Sequence, residues 1–409
     1  MKRYQKALMS LYARVHELAE DRVQKGHLAF EIQEELLRRI VQAENRIRKV
    51  RALAQQLKRD LSSRENTRAI SNEIRGKYQA AENATEAPKT LIRTLRTIGD
   101  SIAFIYGDRH ELKQLVRNGD PGFISGKRGT RLERKIFRAA SEWGATIVMN
   151  DLTNSLRHAD FTLFRPDLWP EGGSPFFLME AKSGRGGNRK RAERQVKAAQ
   201  AIHKYIHTDI AEEEWGSRLR VAARDEISHH GELITRLAQN LPGRGFIVEE
   251  AERGLHYVII DGAFDTDNLQ EILSPFNNFG KMMAFLSVNE QKKTNQGYYP
   301  FPLLIHDPEV LFRFYNGEFV ASIIVDVGYV NDRIAAHGIA IEFAEDAWKI
   351  VSLTRGDEDW GEYYVSSRAI HLLAAEFISL QWFIDNILTG PLLEGMTKFI
   401  AKKKHKQCG

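Results

Sequence analysis

Leu36, Ile40, Ala43, Ile47, Val50, Ala54, Leu57 and Leu61 recur at alternating spacings of four and three, and no other feature constrains the fold of this chain over so long a stretch. Residues so spaced share one side of a long helix, and a seam of this kind cannot stay in water. Leu8, Leu11, Val15 and Leu18 keep a similar spacing before Gly26 interrupts it. The seam must meet a second helix. Candidates are the segment 1–25 folded back, the later stripe Leu91, Leu95, Ile98, Ile102 and Ile105, or a copy from another subunit. Ala43 and Ala54 allow close approach but bury little, which points to an intramolecular antiparallel pairing. The result is a helical coiled-coil arm over 1–87 that also offers a surface for a homodimer or a partner protein. Asn83, Thr85 and Pro88 break it, and a helical connector is expected over 88–129.

A chain of 409 residues, 43% hydrophobic and 10% aromatic, can hold two or three domains with cores of their own. Its one cysteine, Cys408, excludes an internal disulfide and fits a reducing cytoplasm. No apolar run approaches a membrane span, and Arg14, Glu17, Glu20 and Asp21 interrupt what a signal core would require, so neither a membrane partner nor secretion is expected. The net charge of +5 conceals segregation. From Leu36 to Arg64 nine Lys or Arg face only Glu44 and Asp60, whereas Asp209 to Glu271 carries fourteen acidic residues against six Arg. Segregated positive charge is expected of a nucleic-acid binder.

Two short apolar runs, Asp160-Phe161-Thr162-Leu163-Phe164 and Phe176-Phe177-Leu178-Met179, read as strands, and Pro166, Pro170, Gly172 and Gly173 turn the chain between them. In a hairpin with Arg165 opposite Pro175, strict pairing brings Asp160 opposite Glu180, and Lys182 returns to the same face. Two adjacent carboxylates repel until a cation joins them. Phosphodiester hydrolysis needs such a cation, and Mg²⁺ takes oxygen ligands, commonly one or two carboxylates with water and substrate phosphate. Asp160 and Glu180, with the carbonyl of Ala181, are the candidate metal ligands. Lys182 is the candidate for orienting the water and offsetting charge on the phosphorane.

Asp160 opening one strand and Glu180-Ala181-Lys182 ending the next resemble the PD-(D/E)XK nuclease superfamily, the restriction-endonuclease-like fold; the likeness spans roughly Thr130 to Tyr205. Here His158-Ala159 precedes the Asp where the family has Pro. The resemblance implies a Mg²⁺-dependent endonuclease, Mn²⁺ being an acceptable substitute, acting on DNA ahead of RNA, with a place in prokaryotic defence, restriction or repair. It also implies an α+β or α/β core with a mixed sheet flanked by helices, placed over 130–265; the residues beyond it read as a β-rich α+β region over 266–409. Glu133 sits where many members carry a further acidic residue on the first core helix, and it equally suits a solvated helix surface. Gln195 corresponds to a helix glutamine that some members place beside the metal.

Around that core, Thr130 to Trp143 reads as a helix with Leu132, Ile136, Ala140 and Trp143 inward, then Ala145 to Met149 as a strand. After Lys182 a glycine-rich turn opens a basic helix, and Arg185, Arg189, Lys190, Arg191 and Arg194 are candidate contacts to a nucleic-acid backbone. Glu290-Gln291-Lys292 with Asp261 upstream is a competing Asp and Glu-x-Lys pair, but no basic helix follows it. Gly122 to Lys127 falls one residue short of a phosphate-binding loop. Phe246 to Glu250 and Tyr257 to Asp261 are expected to complete the nuclease-like sheet. Phe301 to Leu304, Phe319 to Val327, Ile339 to Phe343 and Trp348 to Leu353 read as strands, and Ala369 to Leu388 as one apolar helix. A non-catalytic nucleic-acid-binding or scaffold protein that uses the basic arm is the second reading of the same features. An RNA-cleaving enzyme of the same fold is the third.

Overall fold

A computed structural model describes residues 2–63, 66–107, 112, 122–127, 129–156, 158–164, 176–181, 197, 200–202, 204–206, 208, 210–213, 216–219, 225–264, 269–276, 283–288, 300–344, 347–352 and 363–389. The protein is of mixed helix and sheet, in two compact units: Met1–His203 with Gln296–Leu303, and Lys204–Asn295 with Leu304–Gly409. Among the described residues no helix is long and apolar enough to cross a membrane.

In the first unit α1 (Gln5–Glu20), α2 (His27–Leu61), α3 (Arg68–Asn83) and α4 (Glu86–Tyr106) meet around the seam. α2 packs against the other three, so the seam is covered from within the chain. Leu8, Leu11, Val15 and Leu18 of α1, Leu36, Ile40 and Ile47 of α2, and Leu95, Ile98 and Ile102 of α4 are all buried. Asp21 ends α1 by accepting the backbone N–H groups of Val23 and Gln24, and the chain returns as α2 from Gly26. Beyond Ile47 the buried stripe thins, with Val50, Leu57 and Leu61 only half-buried.

Arm and sheet share one core. α5 (Thr130–Glu142) leads into β1 (Thr146–Met149), and β2 (Phe161–Phe164) and β3 (Phe176–Met179) complete a three-stranded antiparallel sheet in the order β1-β2-β3. The free edge of β1 is closed by a side chain. Gln33 of α2 donates to the Ile147 carbonyl oxygen at 2.9 Å and accepts the Met149 N–H at 2.9 Å, taking the place of a neighbouring strand. α4 reaches the same region at Gly99, where a Cβ would stand 2.1 Å from the Leu152 carbonyl oxygen.

The inward face of α5 differs from the expected stripe. Phe137 and Glu133 are buried, Leu132, Ile136 and Ala140 are half-buried, and Trp143 is 82% exposed. Phe30 of α2 stacks on Phe137 with ring centroids 4.8 Å apart. That contact fixes the rotation of the helix and turns Glu133 inward, whereas the hydrophobic count from Leu132 would have left it outside.

In the second unit β4 (Ile210–Glu213) and β5 (Gly216–Leu219) form a hairpin. α6 (Gly231–Asn240) precedes a four-stranded antiparallel sheet in the order β6-β7-β9-β8, built from β6 (Phe246–Glu252), β7 (Leu255–Asp261), β8 (Met283–Ser287) and β9 (Phe319–Asp326). The expectation that Phe246 to Asp261 completes the sheet of β2 and β3 is therefore corrected. β7 pairs with β9 along its whole length, from Leu255 opposite Val325 to Asp261 opposite Phe319, so its partners come from the C-terminal half of the chain. A second three-stranded sheet follows, β10 (Ile339–Ala344), β11 (Ala347–Ser352) and β12 (Tyr363–Ser366).

Two further expectations yield to backbone chemistry. Phe301–Leu304 is a helical turn instead of a strand, since Pro302 has no N–H to give a ladder and Leu303 N–H bonds back to Pro300 at 2.7 Å. The helix expected over Ala369 to Leu388 breaks after Ala375. Phe377 takes a left-handed backbone, φ 49°, and its carbonyl oxygen accepts His230 N–H at 2.7 Å, while Glu252 caps the next turn by accepting the N–H groups of Leu380 and Gln381.

Candidate metal-dependent active site

β2 and β3 pair in the register that the sequence implies, Phe161 opposite Met179 and Phe164 opposite Phe176. One further step along that ladder brings Asp160 opposite Glu180. Asp160 N–H donates to the Met179 carbonyl oxygen at 3.2 Å, and Asp160 Oδ2 accepts Ala181 N–H at 2.8 Å. The two strand ends are thus tied across the point where both carboxylates stand, and both residues are partly exposed.

Asp160 is aimed by its neighbours. Ala159 before it has φ 66°, in the left-handed region that a residue with a Cβ enters only at a cost of about 1–2 kcal/mol. Asn150, buried at the end of β1, holds that bend: its Nδ2 donates to His158 O at 2.6 Å and Ala159 O at 3.3 Å, and its Oδ1 accepts the Thr162 hydroxyl at 2.9 Å. Asn150 N–H also donates to Asp160 O at 3.0 Å. No periodicity marks Asn150 in the sequence; a lone amide after an apolar run was the only available sign.

Glu133 joins the pair electrostatically. Burial, followed by the charges of Asp160 and Asp151, pushes its carboxyl above the ordinary glutamate value; Lys127 opposes them, and Glu180 adds a smaller push upward. Lys127 Nζ itself pairs with Asp151. Glu133 on α5 therefore lies within Coulombic range of Asp160, just before β2, and of Glu180, just after β3. Among the described residues no three His, Cys, Asp or Glu converge closely enough to form a complete metal cage. The arrangement is an adjacent pair with a third acid in Coulombic range. Such a set suits a hard cation that keeps waters and takes substrate oxygens as its remaining ligands. Lys182, Gln195 and the cations Arg185, Arg189, Lys190, Arg191 and Arg194 lie outside the described residues.

A polar scaffold stands behind the site. Glu44 of α2, fully buried, accepts the N–H groups of Ile124 at 2.9 Å and Ser125 at 2.7 Å, and lies 3.9 Å from the buried Arg96 of α4. Arg96 donates to Asp151 O at 3.1 Å and Gly122 O at 3.2 Å. A carboxylate on those loop N–H groups leaves no phosphate cradle at 122–127. Asp100 of α4 accepts Asn154 N–H and Ser155 N–H at 3.0 and 2.7 Å and the Ser155 hydroxyl as well, and desolvation raises its carboxyl to about 7.

The strands that lead to the competing acidic pair are not adjacent. β9 lies between β7, which ends at Asp261, and β8, which precedes Glu290, so that the two runs are not neighbours. Glu290 itself lies outside the described residues. No protein family, curated protein or solved structure matches this chain.

Proposed function

We propose that this protein is a Mg²⁺-dependent nuclease, a DNA endonuclease by preference, whose site is built on Asp160, Glu180 and Glu133. The observation that carries the reading is the β2–β3 register, with the Asp160 carboxylate bonded to the backbone N–H of Ala181, one residue past Glu180. Asp160 and Glu180 would hold Mg²⁺ or Mn²⁺, with the Ala181 carbonyl as a further oxygen. When bound, the ion supplies Lewis acidity at a phosphoryl oxygen and a water acidified toward neutral pH. Oδ2 of Asp160 accepts Ala181 N–H, which holds the carboxylate in place for that task. Glu133, whose proton is held more tightly than usual, can give it up as positive charge enters the site. Lys182 offsets the negative charge that grows on the phosphorane, and Gln195 with the cations 185–194 would orient the substrate backbone. A place in restriction, defence or repair goes with that chemistry.

The test is incubation of the purified protein with plasmid, linear duplex, single-stranded DNA and RNA, with and without Mg²⁺ or Mn²⁺, beside Asp160→Ala and Glu180→Ala. Metal-dependent cleavage of DNA, lost in both variants, is the expected result. Cleavage that persists in both removes the proposed centre. Cleavage of RNA alone transfers the reading to an RNA-cleaving enzyme, and binding without cleavage of any substrate leaves a non-catalytic nucleic-acid-binding or scaffold protein.

A further inference from the structure

We propose that the second half of α2 is a track for the phosphate backbone of duplex DNA, beginning beside the acidic site and running away from it. The choice of polyanion rests on the nuclease reading; the track itself is read from charge and position. Charges on the first half of α2 are answered locally: Glu31 by Arg14, Glu34 by Arg138, and Glu35 by Arg38 and Arg39, all within 3.2 Å. The second half is different. Arg46, Arg48, Lys49, Arg51, Lys58 and Arg59 are exposed, and none of them forms an ion pair with a described residue. Holding this much like charge on about three and a half helical turns costs stability through mutual repulsion, and a bound polyanion removes that cost.

The cations have an order. Arg48, Arg51, Gln55 and Lys58 follow at spacings of three, four and three, so they form one stripe of the helix, about 15 Å long at 1.5 Å per residue. Duplex DNA carries one negative charge per about 1.7 Å of axis, so a stripe of that length faces several phosphates. Its near end is fixed. Arg48 donates to the Ser125 carbonyl oxygen, and the guanidinium groups of Arg48 and Arg51 lie 5.6 and 5.5 Å from the centre of the Phe123 ring. The same loop carries Lys127, which pairs with Asp151 and whose charge reaches Glu133. A carboxylate-lined site repels the polymer it must cut. Cations offset from it along a rigid helix can hold the backbone without neutralising those carboxylates.

The experiment measures binding of a fluorescein-labelled 20-base-pair duplex by anisotropy, in EDTA, across a NaCl series. Arg51→Gln with Lys58→Gln is compared with Arg38→Gln with Arg39→Gln, a double neutralisation on the same helix where Glu35 already answers both charges. The first pair should weaken binding at least tenfold and make the log–log salt slope shallower by about 2, one phosphate contact for each cation. The second pair should stay within about twofold of the unmodified protein, and circular-dichroism melts establish that both fold. If the two pairs behave alike, or the unmodified protein does not bind the duplex, the track is overturned; a preference of tenfold or more for duplex RNA overturns its assignment to DNA. Cleavage that survives with binding indifferent to Arg51 and Lys58 refutes the track and leaves the nuclease. Binding that depends on them without cleavage in Mg²⁺ does the reverse.

Discussion

Asn150 Nδ2 binds the carbonyl oxygen of His158 at 2.6 Å, one residue ahead of the left-handed Ala159 and two ahead of Asp160. A buried amide thus sets the direction in which the chain delivers the candidate metal ligand. Replacing it by alanine leaves two carbonyl oxygens and the Thr162 hydroxyl without this partner. Asn150→Ala should lower unfolding stability by about 1–3 kcal/mol in urea titration. Thr162→Val, which removes one bond of the same set, should cost less than Asn150→Ala.

The bend itself gives a second expectation. Glycine at Ala159 would relieve about 1–2 kcal/mol of left-handed strain, against about 0.5–1 kcal/mol of added chain entropy in the unfolded state. Ala159→Gly should leave stability within about 1 kcal/mol of the parent or slightly above it. Ala159→Val puts a branched side chain where φ is 66° and should be clearly destabilising. Equal melting temperatures for the two variants would show that the left-handed bend is not maintained in solution.

What the sequence made legible is what local repetition encodes. The β2–β3 register followed from pleat alternation and a turn, and the seam of α2 from its spacing, including the conclusion that the chain covers it. The polar scaffold was not legible. Glu44 meets Ser125 across 81 residues, Asp100 meets Ser155 across 55, and Gln33 meets Met149 across 116. Each is a single polar residue on an otherwise ordinary helix, without a periodic companion to reveal its partner. The inward turn of Glu133 was hidden for a related reason, because it depends on Phe30 stacking on Phe137 from a different helix. Strand membership of Phe246 to Asp261 was readable, but the choice of sheet was not, since β7 pairs with a strand more than fifty residues onward.

Glu133 offers a test of the acidic site that does not need catalysis. Its folded carboxyl binds a proton more tightly than the ordinary value of 4.5, so the stability it contributes is complete below that pH and is lost as pH rises through the folded value. Glu133→Gln removes this dependence and should flatten the stability profile above pH 4.5. In the parent protein added Mg²⁺ should raise the melting temperature at neutral pH, by countering the same repulsion. Loss of the Mg²⁺ shift in Asp160→Asn, with its retention in a variant of an acidic residue outside this set such as Asp307→Asn, would tie the effect to this cluster.

Glu44 and Arg96 are buried partners, so removing either alone strands a charge. Glu44→Leu or Arg96→Met should each cost about 3–5 kcal/mol. The double replacement removes both charges yet recovers only part of that loss, because Ile124 and Ser125 N–H groups still lack the acceptor that Glu44 provides, at about 1–3 kcal/mol for each orphan. Full recovery in a double-mutant cycle would mean that the loop 122–125 finds other partners.

Asp100 carries a pH signature of its own, outside the site. Burial raises its carboxyl to about 7 even though Asn154 and Ser155 donate to it, and each of those bonds favours the ionised form. Desolvation therefore outweighs four donors. The folded value stands above the unfolded one of 3.8, so stability is greatest below pH 3.8 for this group and declines as pH rises through about 7, by an amount on the order of 4 kcal/mol over the whole window. Asp100→Asn cannot ionise and should remove the decline between pH 5 and 8 in urea titrations. Because that loop leads from Asn150 to Asp160, a decline that persists unchanged in Asp100→Asn would move the titrating group elsewhere, with Glu133 the next residue to neutralise.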